Sequence, residues 1–110
     1  MLRYRIFPVT AFAQNACLLW DGATREAVCT DPGGEVDRLL QAAPQEGLTL
    51  RAVWLTHAHI DHAGGAAELA RRAGVPIIGP HPGDQFWIDA LPQQAAMFGF
   101  PPAEAFTPDR

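Results

Sequence analysis

The chain has 110 residues, of which 48% are hydrophobic and 18% are charged, and its formal net charge at pH 7 is −4. This composition excludes a disordered chain, and the length allows one domain with a modest core. No basic run favours nucleic acid or an anionic membrane surface, and no apolar stretch approaches the length of a membrane span. We therefore expect neither nucleic acid nor a membrane as a partner.

Three strands are predicted before the first glycine-rich turn. Residues 4–9 form the first strand, which is expected at a sheet edge because Pro8 has no N–H to donate. Residues 15–20 and 27–30 form the next two, and the Asp- and Gly-containing segment between them predicts a hairpin. Asp31-Pro32-Gly33-Gly34 then ends this meander sharply.

A helix and a long strand are predicted next. Residues 35–45 carry apolar side chains at the i, i+3, i+4, i+7 spacing of an amphipathic helix, and Pro44 and Gly47 are expected to end it. Residues 48–55 follow as a strand whose later part is almost continuously apolar, as expected when both of its faces are covered.

The rest of the chain alternates between helix and strand. A helix is predicted over residues 66–73 and a short strand over residues 75–79, and this order indicates a parallel pair of strands. Asp84 is expected to cap a helix that runs to about residue 90, and residues 93–98 add another helical turn. The sequence therefore predicts an α/β fold with a mixed sheet and outer helices.

The chemistry of the chain is concentrated in Thr56-His57-Ala58-His59-Ile60-Asp61-His62, which holds three of its four histidines. In an extended backbone His57, His59 and Asp61 point the same way, and a turn at His62 aims a fourth donor from another angle. Imidazole and carboxylate groups suit Zn²⁺ and related divalent ions. The alternative is a solvated histidine-rich loop, but four donors between an apolar strand and a small-residue turn favour a metal site.

The His-x-His-x-Asp-His pattern after a buried strand resembles the signature of the metallo-β-lactamase-fold hydrolases. The wider sequence resembles the glyoxalase II (hydroxyacylglutathione hydrolase) branch of that superfamily. The segments that carry the resemblance are Pro8-Val9-Thr10-Ala11-Phe12, Gln14-Asn15, Asp31-Pro32-Gly33-Gly34, residues 55–62 and residues 74–80. The implied fold is an αββα sandwich, of which residues 1–110 form the N-terminal half of one domain.

The resemblance also implies a site and a reaction. It implies two Zn²⁺ ions per complete domain, with iron or manganese as alternatives. His57 and His59 match the ligands of one metal, Asp61 and His62 match those of the other, and Asp61 is also the predicted catalytic residue. Asp31 matches a supporting position behind the metals, where its carboxylate can fix the tautomer of a ligand histidine; alternatively it only shapes a turn.

The implied activity is hydrolysis of S-lactoylglutathione, or a similar glutathione thioester, by a metal-activated hydroxide. Alternatives are another hydrolase or an iron-dependent sulfur dioxygenase of the same superfamily, and a non-catalytic metal-binding or interaction fragment. The family takes further ligands, two histidines and a bridging aspartate, from later segments that these 110 residues do not contain. We therefore expect that activity needs the C-terminal half of the domain, and that this chain alone exposes an apolar sheet face and associates.

Several other residues have two interpretations. Gly64 and Gly65 either let the backbone pass close to the metals or simply join a loop to a helix, and His81 is expected to be exposed rather than a ligand. Four apolar residues can line a substrate cleft, although core packing is favoured for most of them: Trp87, Met97, Phe98 and Phe100.

The two cysteines, Cys17 and Cys29, lie in predicted strands and are interpreted as small apolar residues rather than as a disulfide. Polar residues and Pro8 interrupt the apolar start of the chain, which argues against a signal peptide. Together these features predict a cytoplasmic protein.

Overall fold

The structure is a computed structural model that describes residues 2–10, 14–100 and 103–109, apart from the side chain of Asp61. Within these residues one sheet has the strand order β1-β2-β3-β4-β5. The strands are β1 (Leu2–Val9), β2 (Gln14–Asp21), β3 (Glu26–Thr30), β4 (Thr49–Trp54) and β5 (Ile77–Ile78). The pairs β1–β2 and β2–β3 are antiparallel, whereas β3–β4 and β4–β5 are parallel, so the predicted mixed sheet is confirmed.

Helices cover one side of this sheet and continue beyond β5. They are α1 (Val36–Gln45), α2 (Ile60–Ala63), α3 (Ala66–Ala73), α4 (Gln85–Asp89) and α5 (Leu91–Phe98), with a 3₁₀ turn at Pro82–Asp84. The helix predicted over residues 66–73 has the same bounds in the structure. No described helix is long and apolar enough to cross a lipid bilayer.

α1 ends at Gln45, one residue after Pro44, as predicted. A proline costs a helix one backbone hydrogen bond, and here the loss falls in the last turn, where following residues bond the free carbonyls. The N–H of Glu46 donates to Ala42 O at 3.1 Å, and the N–H of Gly47 donates to Pro44 O at 3.0 Å. Gly47 then leaves the helix with φ +71°, as predicted for a glycine stop.

The two faces of the sheet differ sharply because side chains alternate along each strand. Leu18, Cys29 and Val53 point to the helix side, where they are fully buried with Leu39 of α1 and Leu69 of α3. Burial raises the pKa of the Cys29 thiol to about 12, so this thiol stays protonated at neutral pH.

The opposite face of the sheet is open. One row of paired positions crosses it from Ile6 through Cys17 and Thr30 to Trp54. Ile6 is 48% exposed and Trp54 is 44% exposed, and Tyr4 in the neighbouring row is 66% exposed. The exposed apolar sheet face expected from the sequence is therefore present, and we call it the open face.

The two edges of the sheet differ in how far they are covered. β1 lies at one edge, as Pro8 predicted, and pairs with β2 alone within the described sheet. At the other edge, Asp109 of the irregular tail bonds the outer side of β5. Its N–H donates to Ile77 O at 2.8 Å, and its Oδ2 accepts from Ile77 N–H at 2.8 Å. This contact fastens the tail to the sheet.

Candidate metal centre

The histidine motif begins just beyond the C-terminal end of β4 and does not stay extended. His59 has an extended backbone, but α2 begins at Ile60, so the backbones of Asp61 and His62 are helical. The prediction of an extended run through Asp61 is therefore wrong. The physical reason is local: His59 O accepts the N–H groups of His62 at 2.9 Å and Ala63 at 2.8 Å, and buried Ile60 anchors the turn.

The turn brings three imidazole rings together. The ring centroids of His57 and His59 are 4.9 Å apart with the planes at 89°, and those of His57 and His62 are 3.9 Å apart with the planes at 47°. The predicted ligand Asp61 has its side chain outside the described residues. Among the described side chains, no three His, Cys, Asp or Glu groups are arranged closely enough to form a metal-binding set.

The donor chemistry nevertheless fits a divalent metal. Neutral imidazoles are good ligands for Zn²⁺ and for iron, and the His57 ring here contacts the rings of both His59 and His62. A second observation lies beside His62: Gln14 is buried, and its Oε1 has no hydrogen-bond partner among the described residues. The Gln14 amide nitrogen is 3.4 Å from His62 Nδ1. The surroundings of His62 are therefore polar rather than simply packed.

Asp31 connects the end of β3 to the motif. Its side chain is buried, and its Oδ1 accepts the Thr56 N–H while its Oδ2 accepts the Thr56 hydroxyl, both at 2.8 Å. Oδ2 also lies 3.3 Å from His62 Nδ1. Asp31 has φ +48°, so it does shape the turn, and its carboxylate also faces a predicted ligand. The geometry thus accommodates both interpretations of Asp31.

Thr56 extends this network to another histidine. Its Oγ1 lies 3.1 Å from His57 Nδ1. A carboxylate beside Nδ1 of a neutral imidazole favours the tautomer that carries the proton on that nitrogen, which leaves the lone pair on Nε2. Asp31 is placed to exert this effect on His62, and it bonds the Thr56 group that contacts His57.

The glycines after the motif approach the 31–34 turn. A Cβ on Gly64 would lie 2.6 Å from Gly33 O, and a Cβ on Gly65 would lie 2.7 Å from Pro32 O. Gly65 N–H also donates to Pro32 O at 2.8 Å. The two glycines therefore do more than join a loop to a helix, because they let the backbone at 64–65 pack directly against the backbone of the 31–34 turn.

The segment after β5 supports the motif from another side. Asp84 makes no side-chain cap on α4, contrary to expectation; its Oδ2 instead accepts the N–H of buried Ala58 at 3.3 Å. The edge of Trp87 meets the His59 ring, with centroids 4.9 Å apart at 82°. His81 is exposed, as expected, and its Nδ1 accepts Gly83 N–H at 3.0 Å. Neither of the first two contacts is predictable from a local sequence pattern.

A groove lies beside His59, between α4 and α5. It has a volume of about 470 Å³. Trp87, Met97 and Phe98 line it, so the core interpretation is wrong for Met97 and Phe98, which are 68% and 53% exposed. The core positions of α5 are taken by Leu91 and Ala95. Partly buried Phe100 does pack against the core.

Comparison with known proteins identifies the family. The sequence profile of the metallo-beta-lactamase superfamily matches residues 9–110. The chain belongs to the metallo-β-lactamase superfamily, which confirms the resemblance of the histidine motif.

Within the superfamily, the chain is similar to hydroxyacylglutathione hydrolases. It is 45% identical over 109 residues to hydroxyacylglutathione hydrolase GloC of Haemophilus influenzae. The matched region covers 99% of this chain and 51% of that protein. It is 32% identical over 87 residues to the probable metallo-hydrolase YqgX of Bacillus subtilis, covering 79% of this chain and 40% of that protein. The chain thus spans about half the length of GloC.

Solved structures share the fold. The BLEG-1 B3 metallo-β-lactamase superimposes with a TM-score of 0.83 at 30% identity, covering 98% of this chain and 52% of that one. TTHA1623 in a di-iron-bound form superimposes with a TM-score of 0.84 at 30% identity, covering 96% and 52%. The fold is that of the metallo-β-lactamase half-domain, and it is associated with divalent metals, as the di-iron neighbour illustrates.

Proposed function

We propose that this chain supplies the N-terminal half of the metal centre of a glyoxalase II-like hydrolase, which cleaves a hydroxyacylglutathione thioester into an acid and glutathione. The observation that carries the proposal is the contact of the His57 ring with the rings of both His59 and His62, together with the Asp31 carboxylate beside His62. The identity to GloC supports the substrate class. Completion of the site requires the part of the domain that the relatives have beyond this span.

In this proposal His57 and His59 hold one metal, and Asp61 and His62 hold the other. Zn²⁺ is the proposed metal, with iron or manganese as alternatives; when bound, it lowers the pKa of water and polarises the thioester carbonyl. Asp31 keeps the His62 proton on Nδ1, so that Nε2 is the donor atom. The assignment of Asp61 as ligand and catalytic residue is based on the motif.

Hydrolysis of a thioester requires few further catalytic groups from the protein. Water adds to the carbonyl carbon, the C–S bond breaks, and the sulfur leaves as a thiolate that later takes a proton. Since a thiolate is a good leaving group, no dedicated general acid is required. The proposed work of these residues is therefore to position donors and the carbonyl rather than to deliver protons.

A second candidate is another hydrolase or an iron-dependent sulfur dioxygenase of the same superfamily, and the di-iron form of TTHA1623 supports iron as a metal for this fold. Metal content and a panel of substrates separate these from the glyoxalase II-like hydrolase. A non-catalytic metal-binding fragment is the third candidate, and it predicts bound metal without turnover. We also propose a cytoplasmic location, supported by the two free thiols, Cys17 and Cys29.

The test measures bound metal and thioester hydrolysis on the protein isolated from its source. We expect the variants His59→Ala and Asp61→Ala to lose at least half of the bound metal. Their kcat/KM for S-lactoylglutathione should fall more than about 100-fold, because loss of a ligand should cost more than the loss of a residue that only orients a ligand. His81→Ala is the matched control, because His81 contacts only its own turn in the bonds described for it. Unchanged metal content in both motif variants would refute the site.

A further inference from the structure

The groove beside His59 has the composition of a site for an apolar group. We call it the acyl groove and define it by His59, Trp87, Gln93, Gln94, Met97 and Phe98. Its volume of about 470 Å³ lies in the range of small-molecule pockets. The described residues that line it include no Lys, Arg, Asp or Glu side chain, and its polar groups are neutral amides and one imidazole.

Two apolar side chains of the groove, Met97 and Phe98, lie outside the buried core of the described residues. On α5, Leu91 and Ala95 are buried, whereas Met97 and Phe98 stay more than half exposed. Apolar side chains that stand together at the surface beside a polar centre are typical of a ligand site. Trp87 joins the two parts, because its ring lines the groove and its edge contacts His59.

The position of His59 indicates which part of a thioester fits here. If His59 holds a metal at the reacting carbonyl, as proposed above, the groove begins beside that carbonyl. Two groups flank the carbonyl: the acyl chain and the glutathionyl group, which carries two carboxylates and an ammonium. Burying these charges in a groove without charged partners is unfavourable, whereas burying methylenes is favourable. The acyl side is therefore the better match.

We propose that the acyl groove binds the acyl chain of the thioester and gives the enzyme a preference for acyl groups longer and more apolar than lactoyl. This inference depends on the proposed function for the identity of the substrate. Each methylene buried in the groove should raise kcat/KM by about fourfold until the groove is filled.

A binding experiment tests the groove without turnover. In the complete protein, labelling with ¹³C-methyl methionine gives a resonance for Met97, which is assigned by its loss in Met97→Leu. The probes are S-hexylglutathione and S-methylglutathione, which carry a long and a short alkyl group on the sulfur and cannot be hydrolysed. We expect the Met97 resonance to shift with the hexyl probe and not with the methyl probe, and the hexyl probe to bind at least tenfold more tightly.

A kinetic experiment tests the preference. In the complete protein, kcat/KM is measured for hexanoylglutathione and for S-lactoylglutathione, and the ratio of the two values is the readout. Met97→Ser and Phe98→Ser should each lower this ratio at least fivefold. Leu2→Ser is the control, because Leu2 is as exposed as Met97 but lies on β1, and it should leave the ratio unchanged. Thermal melting confirms that the variants are folded.

The two proposals fail in different ways. Hydrolysis of both thioesters with no preference for hexanoyl, and no hexyl-induced shift at Met97, would overturn the acyl groove while leaving the proposed function standing. A hexyl-induced shift without hydrolysis of either thioester by the complete protein would overturn the proposed function, and the acyl assignment with it.

Discussion

The histidine motif and the open face are built on the same strands, but the surroundings of the motif are closely packed whereas the open face is not covered. Around the motif, buried Asp31 bonds Thr56 twice, and Gly65 fits against Pro32 O. On the open face, Ile6 and Trp54 stay about half exposed. The support behind the histidines is therefore formed within the described residues, whereas those residues leave the open face uncovered.

The largest effect is expected around the motif, from Gly65→Ala. The new Cβ would lie 2.7 Å from Pro32 O and 2.9 Å from Val36 Cγ2, so backbone has to move. We expect the free energy of unfolding to fall by about 3 kcal/mol, measured by urea denaturation. Gly83→Ala is the control, since its Cβ meets only the exposed His81 side chain and should cost less than about 1 kcal/mol. Equal losses would show that the surroundings of the motif are not tightly fitted.

Asp31 allows its two roles to be separated. Asn tolerates the left-handed backbone and can still accept one Thr56 bond, so Asp31→Asn should keep stability within about 1 kcal/mol. It should nevertheless lower metal affinity about tenfold, because an amide orients the His62 proton less strongly than a carboxylate does. Asp31→Ala should lose about 2 kcal/mol as well, by leaving Thr56 groups unpaired.

Chelator competition measures the affinity, and denaturation measures the stability. If Asp31→Asn binds metal as tightly as the wild type, Asp31 only shapes the turn. If it loses stability as well as affinity, the two roles are not separable by this substitution, and the positioning role loses its support.

On the open face we expect a smaller effect on folding and a visible one on association. The double variant Ile6→Lys/Trp54→Lys places two charges in one row of the sheet and should shift the chain from oligomers to monomer in sedimentation velocity. Phe86→Lys, at a position that is 61% exposed and lies on α4, is the control and should not disperse the oligomers. If the wild-type chain is already monomeric at about 100 µM, the expected association through the open face does not occur.

Much of the fold follows from local sequence signals. Period-two and period-3.6 patterns locate the strands and α3, and Pro8 locates the sheet edge. The start of α2 at Ile60 was missed, because a four-residue helix is too short to show a period and the histidine spacing fits a strand equally well. The end of α1, by contrast, follows from the local signals of Pro44 and Gly47.

The site was predictable in its residues but not in its contacts. The histidine cluster is visible in the sequence, whereas Gln14 meets His62 across 48 positions and Asp84 meets Ala58 across 26. Such pairs are set by the packing of whole elements, which no single stretch of sequence encodes. Met97 and Phe98 were assigned to the core because composition indicates apolarity without indicating which side of α5 faces outward.

The contact between Asp109 and β5 has a consequence for how copies of this chain can meet. Because Ile77 already bonds Asp109 on its outer side, the β5 end of the sheet offers no free ladder to a neighbour, whereas β1 keeps residues 2–7 before Pro8 as an unpaired edge within the described sheet. Two copies of the chain can therefore pair edge to edge only through β1. Such a pair presents its two β5 ends outward, so the pairing stops at two copies and does not grow into cross-β fibrils.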